Sequence, residues 1–298
     1  MALAPTISVN QLVKKYYDLY RENEITFSKE TIRTLRMNPR QIYVKCDGGQ
    51  WPCIINSASF QMAKIIIGTA GGAFQHIAKK DAPPVNLHFC FEDDGNPIFF
   101  FISCKVENIT PYTTSNELVI VTLSYNQQPP DDFVLKIGTM LDADFNFVKR
   151  RAERITINES TQRALRLDKK ESIVFVQGVP RRCILWDLSF FGAKIILMGL
   201  PQFLQGKSSI LRLVFSDPNE VVDIKGTLVK CELVEGRKDL CSVGVKFDEN
   251  LVPPPYKIRI NEYLSTNKKT FIEASTVLQQ SAAAEQKEGH ITAERTQP

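Results

Sequence analysis

The sequence predicts a mainly β fold in two domains, with a helical segment ahead of the strands and a helix and tail behind them. Three observations predict it. A chain of 298 residues exceeds one small domain and fits two of about 100–150 residues each. Short runs rich in Ile, Val and Phe recur between clusters of Gly, Pro, Asn and Asp, the punctuation of strands and turns. These runs fall into two series, separated by a polar, highly charged stretch over 142–160.

Taken in order, Ser8 and Gln11 form a capping-box pattern, and Leu12, Tyr16, Leu19 and Tyr20 recur at helical spacing, so the first element is a helix. A second short helix starts near Ser28. After Pro39, strands are expected at 41–46, 52–56, 63–68, 86–91, 97–104, 117–125 and 133–141, with Asp94-Gly95-Asn96-Pro97 as a hairpin turn. Seven short strands at this spacing suggest a barrel or a sandwich. The second series is expected at 172–177, 183–189, 193–198, 210–215, 226–234 and 242–247. Pro253-Pro254-Pro255 then interrupts the chain, and a short helix is expected over 256–264. The last thirty or so residues, rich in Ala, Gln, Glu, Lys, Ser and Thr, lack the apolar content for a core and read as a frayed helix or disordered tail. No sequence repeat stands out, although both halves read as mainly β.

Composition excludes several classes. With 43% hydrophobic and 23% charged residues, wholesale disorder is ruled out. A net charge of +4 is too small for a DNA-coating role but leaves room for a local basic site. The longest apolar runs, such as 98–104 and 195–201, fall short of the roughly 20 residues of a membrane-spanning helix, so no membrane insertion is expected. Met-Ala-Leu-Ala-Pro is unlike a secretory signal. The seven cysteines are odd in number, lack zinc or redox spacing and mostly sit in apolar runs, as reduced thiols of a cytoplasmic protein would. Three scattered histidines give no metal centre, and Gly68–Gly72 has no following Lys-Ser/Thr pair, so no metal or cofactor is expected. No nucleophile–base or paired-carboxylate arrangement is evident at short range, so the chain reads as a non-enzyme. Trp51 and Phe99-Phe100-Phe101 read as core or interdomain contacts.

Two patterns remain. Lys149-Arg150-Arg151-Ala152-Glu153-Arg154 sets four cations against one carboxylate and contains Arg-x-x-x-Arg, a pattern that Arg36 and Arg40 also match. Alone, such a cluster is a solvated linker. Asp187-Leu188-Ser189-Phe190-Phe191-Gly192 ends a strand; simple alternation puts Asp187 and Ser189 on one face, Trp186 and Leu188 on the other, and Gly192 in a turn. Alone, it is a hairpin turn.

In this order, and followed by Gly244-Val245-Lys246-Phe247-Asp248, the two patterns resemble the PilZ domain, the bacterial receptor module for cyclic di-GMP, over roughly 147–267. A mainly β domain ahead of it resembles the flagellar-brake (YcgR-type) layout. The resemblance implies two β-barrel domains joined by a basic linker: an N-terminal helix plus all-β domain over 1–141, a linker over 142–155, a PilZ barrel over 156–268 and a flexible tail over 269–298. It implies cyclic di-GMP as ligand and no cofactor. Arg150 and Arg154 would fork to phosphate and to the O6 and N7 edge of guanine, with Lys149 and Arg151 adding charge or stacking. Asp187 would accept from guanine N1–H and the N2 amino group, Ser189 would add one bond, and Gly192 would let the backbone pass near the base. The function expected is a receptor that changes its interdomain arrangement on binding and signals to a protein partner, flagellar machinery being one candidate, in control of motility. DNA is not an expected partner. The alternatives are a nucleotide-independent adaptor and a β-barrel for single-stranded nucleic acid, the latter weakened by the small net charge.

Overall fold

The computed structural model describes residues 8–79, 83–93, 95–113 and 117–266. The first half runs α1 (Val9–Tyr20), β1 (Ile25–Thr26), α2 (Lys29–Thr34), β2 (Tyr43–Cys46), β3 (Gly49–Pro52), β4 (Ile54–Ala58), β5 (Met62–Gly68), α3 (Gly72–Ile77), β6 (Val85–Asp93), β7 (Asn96–Pro111) and β8 (Leu118–Tyr125). A long helix, α4 (Asp131–Lys149), leads to the second half: β9 (Ile155–Thr156), α5 (Glu159–Ala164), β10 (Glu171–Val176), β11 (Val179–Ser189), β12 (Gly192–Met198), α6 (Pro201–Leu204), β13 (Ser208–Phe215), β14 (Glu220–Leu233) and β15 (Leu240–Phe247). Helix α7 over 254–266 follows. The capping box at Ser8 forms as read: its hydroxyl accepts from the Gln11 amide, and the Gln11 side chain accepts from the Ser8 amide.

Inward apolar residues alternate with outward polar ones, and all the ladders are antiparallel. In the second half the order β10-β13-β14-β15-β12-β11 closes on itself through the β10–β11 pairing, a six-stranded barrel without free edges. The first half is an eight-stranded sheet ordered β1-β4-β5-β8-β7-β6-β2-β3. There β4 continues through Cys53 into β3, which pairs back onto β2, so the sheet curls around its own core. Each half has its own cluster of buried side chains.

Two expectations need correction. The strand read over 133–141 is instead the first half of α4, and the stretch from 142 read as linker is helical as far as Lys149. Phe133, Val134, Ile137 and Met140 pack into the first core while Phe147 joins the second. One helix thus buries a face in both cores, and an apolar run buried at this spacing winds as a helix. Asp131 and Asp132 in its first turn suit the positive end of the helix dipole. The expected tail over 269–298 and Asp94 of the hairpin turn lie outside the described residues.

The second correction concerns the repeat. Structural equivalence exposes one: Ile25, Thr31, Arg36, Cys53, Phe60 and Lys64 recur as Ile155, Thr161, Arg166, Cys183, Phe190 and Lys194, at a constant offset of 130. The geometry recurs with them. Thr26 registers with Ser57 as Thr156 does with Asp187. The Phe27 amide donates to Asn56 O as the Ile157 amide donates to Trp186 O. Arg36 and Arg166 share a left-handed backbone, at φ 51° and 56°. The two halves are therefore versions of one plan, hidden in sequence because substitution has been free wherever packing allowed it.

Candidate functional site

The Asp-x-Ser-x-x-Gly segment is shaped by a β-bulge. The β11–β12 register shifts between Leu185 and Asp187, making Trp186 the extra residue. Trp186 and Asp187 consequently both face outward while Leu185 and Leu188 are buried. Ser189 is buried at 3% exposure, and its hydroxyl donates to the Gly192 carbonyl at 3.0 Å. The expected sharing of one face by Trp186 and Leu188 therefore fails, because the bulge inserts one residue into a period of two; Asp187 and Ser189 lie beyond it in regular register, and Ser189 is buried within the turn. A Cβ at Gly192 would lie 2.5 Å from the Val245 carbonyl oxygen, so close approach of β15 demands the glycine. Beneath this turn the buried Tyr256 hydroxyl donates to Ser189 O at 2.7 Å, and burial pushes its pKa far up.

The basic segment leaves α4 at its C-terminus. Lys149 lies back over the Phe145 ring, with Nζ 4.0 Å from the centroid. Arg150 is the C-cap, and its Nη1 is buried with no hydrogen-bond partner among the described residues. Arg151 stacks on Phe191 at 4.5 Å and pairs with Glu249. Phe191 in turn lies 4.4 Å from Phe147 of α4. Arg154 reaches Asp187 Oδ1 through Nε at 3.1 Å and Nη2 at 3.0 Å. The β9–β11 register, Thr156 against Asp187, delivers Arg154 to this corner. Asp187 also accepts from the Lys194 amide at 3.1 Å. The structure thus brings Arg154 and Asp187 together, sets Arg150 and Arg151 on the same segment, and points Ser189 and Gly192 into the fold.

Beside the Arg154–Asp187 pair lies a recess of about 240 Å³, bordered also by Lys194, Lys230, Glu232, Ser242 and Gly244. The sequence reading singled out Gly244 as part of the closing pattern but not as a site residue, and it missed the other four. Lys194 was within reach, since it stands two residues past Gly192 on an outward position. Lys230 owes its position to a bulge that leaves no local signal. A half-exposed guanidinium, ammonium groups and carboxylates around one recess suit an anionic ligand that also carries N–H donors.

Comparison with known proteins follows the same division of the chain. The PilZN3 domain matches residues 11–144 and the PilZ domain residues 149–265. A cyclic di-GMP binding protein of Treponema denticola is 43% identical over 265 residues, 88% of this chain and 84% of that protein. The chain belongs to the PilZ family. Among solved structures, PlzA of Borreliella burgdorferi in complex with c-di-GMP matches 86% of this chain and 99% of its own at 22% identity, with a TM-score of 0.39. YcgR of Escherichia coli in complex with c-di-GMP matches 91% and 96% at 14% identity, with a TM-score of 0.28. The PilZ match takes in Arg150, Arg154, Asp187, Ser189 and Gly192. The junction between the PilZN3 and PilZ matches falls inside α4. Among the described residues no helix is long and apolar enough to cross a membrane.

Proposed function

We propose that this PilZ protein is a cyclic di-GMP receptor that binds the dinucleotide at the corner of Arg150, Arg154 and Asp187, and that it is not an enzyme. The observation that carries the reading is the convergence of Arg154 and Asp187, 33 residues apart in sequence, with Arg150 on the same short link holding a buried nitrogen that has no hydrogen-bond partner among the described residues. A buried N–H with no acceptor costs about 1–3 kcal/mol, and a ligand phosphate or guanine edge would satisfy it. The relative from Treponema denticola, named for binding cyclic di-GMP, supports the same ligand. Arg154 is half exposed, so its pair with Asp187 is worth about 0–1 kcal/mol and exchanges readily. On binding, Arg154 transfers to phosphate or to guanine O6 and N7, and Asp187 is released to accept from guanine N1–H and N2.

The same arrangement suggests the output. Residues 150–154 are the short non-helical link between α4 and β9, and α4 itself packs into both cores. A ligand that repositions this link biases the angle at which α4 leaves the barrel, and so the arrangement of the two halves. The altered surface then signals to a protein partner, with motility as the process. Calorimetric titration of the full chain with cyclic di-GMP tests the receptor reading: saturable heat is expected, abolished in the Arg150→Ala/Arg154→Ala double variant. Absence of heat and of any thermal shift with the parent chain at high micromolar ligand overturns it in favour of an adaptor. Small-angle scattering with and without ligand tests the rearrangement, which identical curves at saturation would refute.

A further inference from the structure

We infer that the ligand site extends beyond the two family patterns, as a trench across the barrel wall that ends at Lys230, with Lys194 and Lys230 as further ligand-binding cations. This rests on the receptor reading above. The register draws the trench. Thr156 faces Asp187, Asp187 faces Lys194, Lys194 faces Gly244, and Gly244 faces Val229, one position before Lys230. These are directly opposed positions on five neighbouring strands, β9, β11, β12, β15 and β14. At about 4.8 Å per strand the row runs roughly 14 Å from Asp187 to β14. One phosphate contact does not span that; a dinucleotide does.

Three features make the row a trench rather than an ordinary sheet surface. Gly244 stands at an outward position, between the buried Val243 and Val245, and adds no side chain to the floor, where Val229 alone closes in. The β14–β15 register breaks between Val229 and Glu232, so that Lys230 belongs to a bulge. Its backbone is left-handed at φ 50°, a conformation a lysine adopts only at a cost. Bulges re-aim side chains, and strained backbone of this kind collects at functional sites. The result is that Lys194 and Lys230 border the same recess as Arg154.

The first half supplies an internal comparison, because it keeps the plan and changes the chemistry. At the positions of Arg154 and Asp187 it has Glu24 and Ser57. Lys64, its counterpart of Lys194, pairs with Glu24 at 2.9 Å, and Thr122 takes the place of Gly244 opposite it. A bulge on β7, the counterpart of β14, falls at a different register, between Val106 and Asn108, and presents Glu107, which accepts from Ser124 at 2.7 Å. The first half thus carries an acid where the second carries Arg154, another acid at its own bulge, and a hydroxyl side chain on the floor. Among the described residues the second half, with Arg154, Lys194 and Lys230 around one recess, is the half suited to a dianion.

Binding of cyclic di-GMP by calorimetry to the full chain tests this. Lys230→Glu and Lys194→Ala are each expected to weaken binding about tenfold to a hundredfold, the loss of one charge-assisted contact. Lys225→Glu makes the same charge change as Lys230→Glu at another exposed position of β14, outside the recess, and is expected to stay within about twofold once long-range attraction is screened by 0.15 M salt. If Lys230→Glu unfolds the chain, Lys230→Gln, which keeps the stem, takes its place with the same expected direction. A parent chain that binds while Lys230→Glu and Lys225→Glu lose equally little overturns the trench and leaves the receptor reading standing. A parent chain that does not bind overturns both.

Discussion

Asp142 is a buried carboxylate at the meeting of three helices, and removing it should uncouple the two halves. It lies on α4 at 5% exposure and accepts from Tyr20 Oη at 2.8 Å, Lys15 Nζ at 3.2 Å, Asn146 Nδ2 at 3.1 Å and Asn261 Nδ2 at 2.7 Å. Tyr20 and Lys15 belong to α1 of the first half, and Asn261 to α7 behind the second. In Asp142→Ala the buried Tyr20 hydroxyl and Asn261 amide lose their acceptor, at about 1–3 kcal/mol each. Lys15 is half exposed and adds less than about 1 kcal/mol. The expected loss is therefore about 2–6 kcal/mol, a large share of the roughly 5–15 kcal/mol that holds a domain folded. The chain has two tryptophans, Trp51 in the first half and Trp186 in the second, so Trp186→Phe and Trp51→Phe backgrounds report on each half separately. Urea unfolding followed by fluorescence should give coincident midpoints with Asp142 present. With Asp142→Ala the midpoints should move apart and the less stable half should lose at least about 2 kcal/mol. Superimposed curves within about 0.5 kcal/mol of the parent would refute the reasoning.

Other outcomes follow from single groups. Burial pushes the Asp142 pKa up, but hydrogen bonds from Asn261 and Tyr20 and the Lys15 charge outweigh it and hold the pKa below the usual carboxylate range. Its folded pKa is thus depressed, so its contribution is present above the unfolded value of about 4 and is lost as pH falls below that; Asp142→Asn should flatten this acid limb in unfolding titrations. Arg154→Ala should weaken cyclic di-GMP binding about tenfold to a hundredfold while changing stability by less than about 1 kcal/mol, checked by calorimetry and urea melts together. Gly192→Val should cost about 1–3 kcal/mol or more, since the Val245 carbonyl is backbone and cannot swing aside; an unchanged melting temperature would contradict that contact. All seven cysteines are unpaired, and burial pushes the thiols of Cys53, Cys104 and Cys183 up to about 12. Alkylation of the native chain near pH 8 should therefore reach the half-buried Cys231 first, as peptide mapping would show.

Much of the fold was legible. Thirteen expected strands reduce to twelve that meet observed strands, because period-2 alternation and turn residues are local signals. The exception, 133–141, failed because a short apolar run has no preferred period until its partners are known, and α4 has partners in two cores. Of the site, the sequence showed which residue types were present and in what order. Their directions were not legible: Ser189 and Gly192 turned out to serve the turn and the approach of β15, and Lys149 lies over Phe145.

By itself, then, the chain's order of residues determined the mainly β class, the capped first helix and the pairing of an arginine-rich segment with Asp-x-Ser-x-x-Gly, since each depends on neighbours within a few positions. Tertiary structure alone decided that Asp187 and Trp186 share a face, that Arg154 meets Asp187, that Lys230 joins their recess and that Asp142 ties three helices together. Those outcomes rest on register between strands and on burial, which are set by contacts tens of residues apart and leave no periodic trace in the chain.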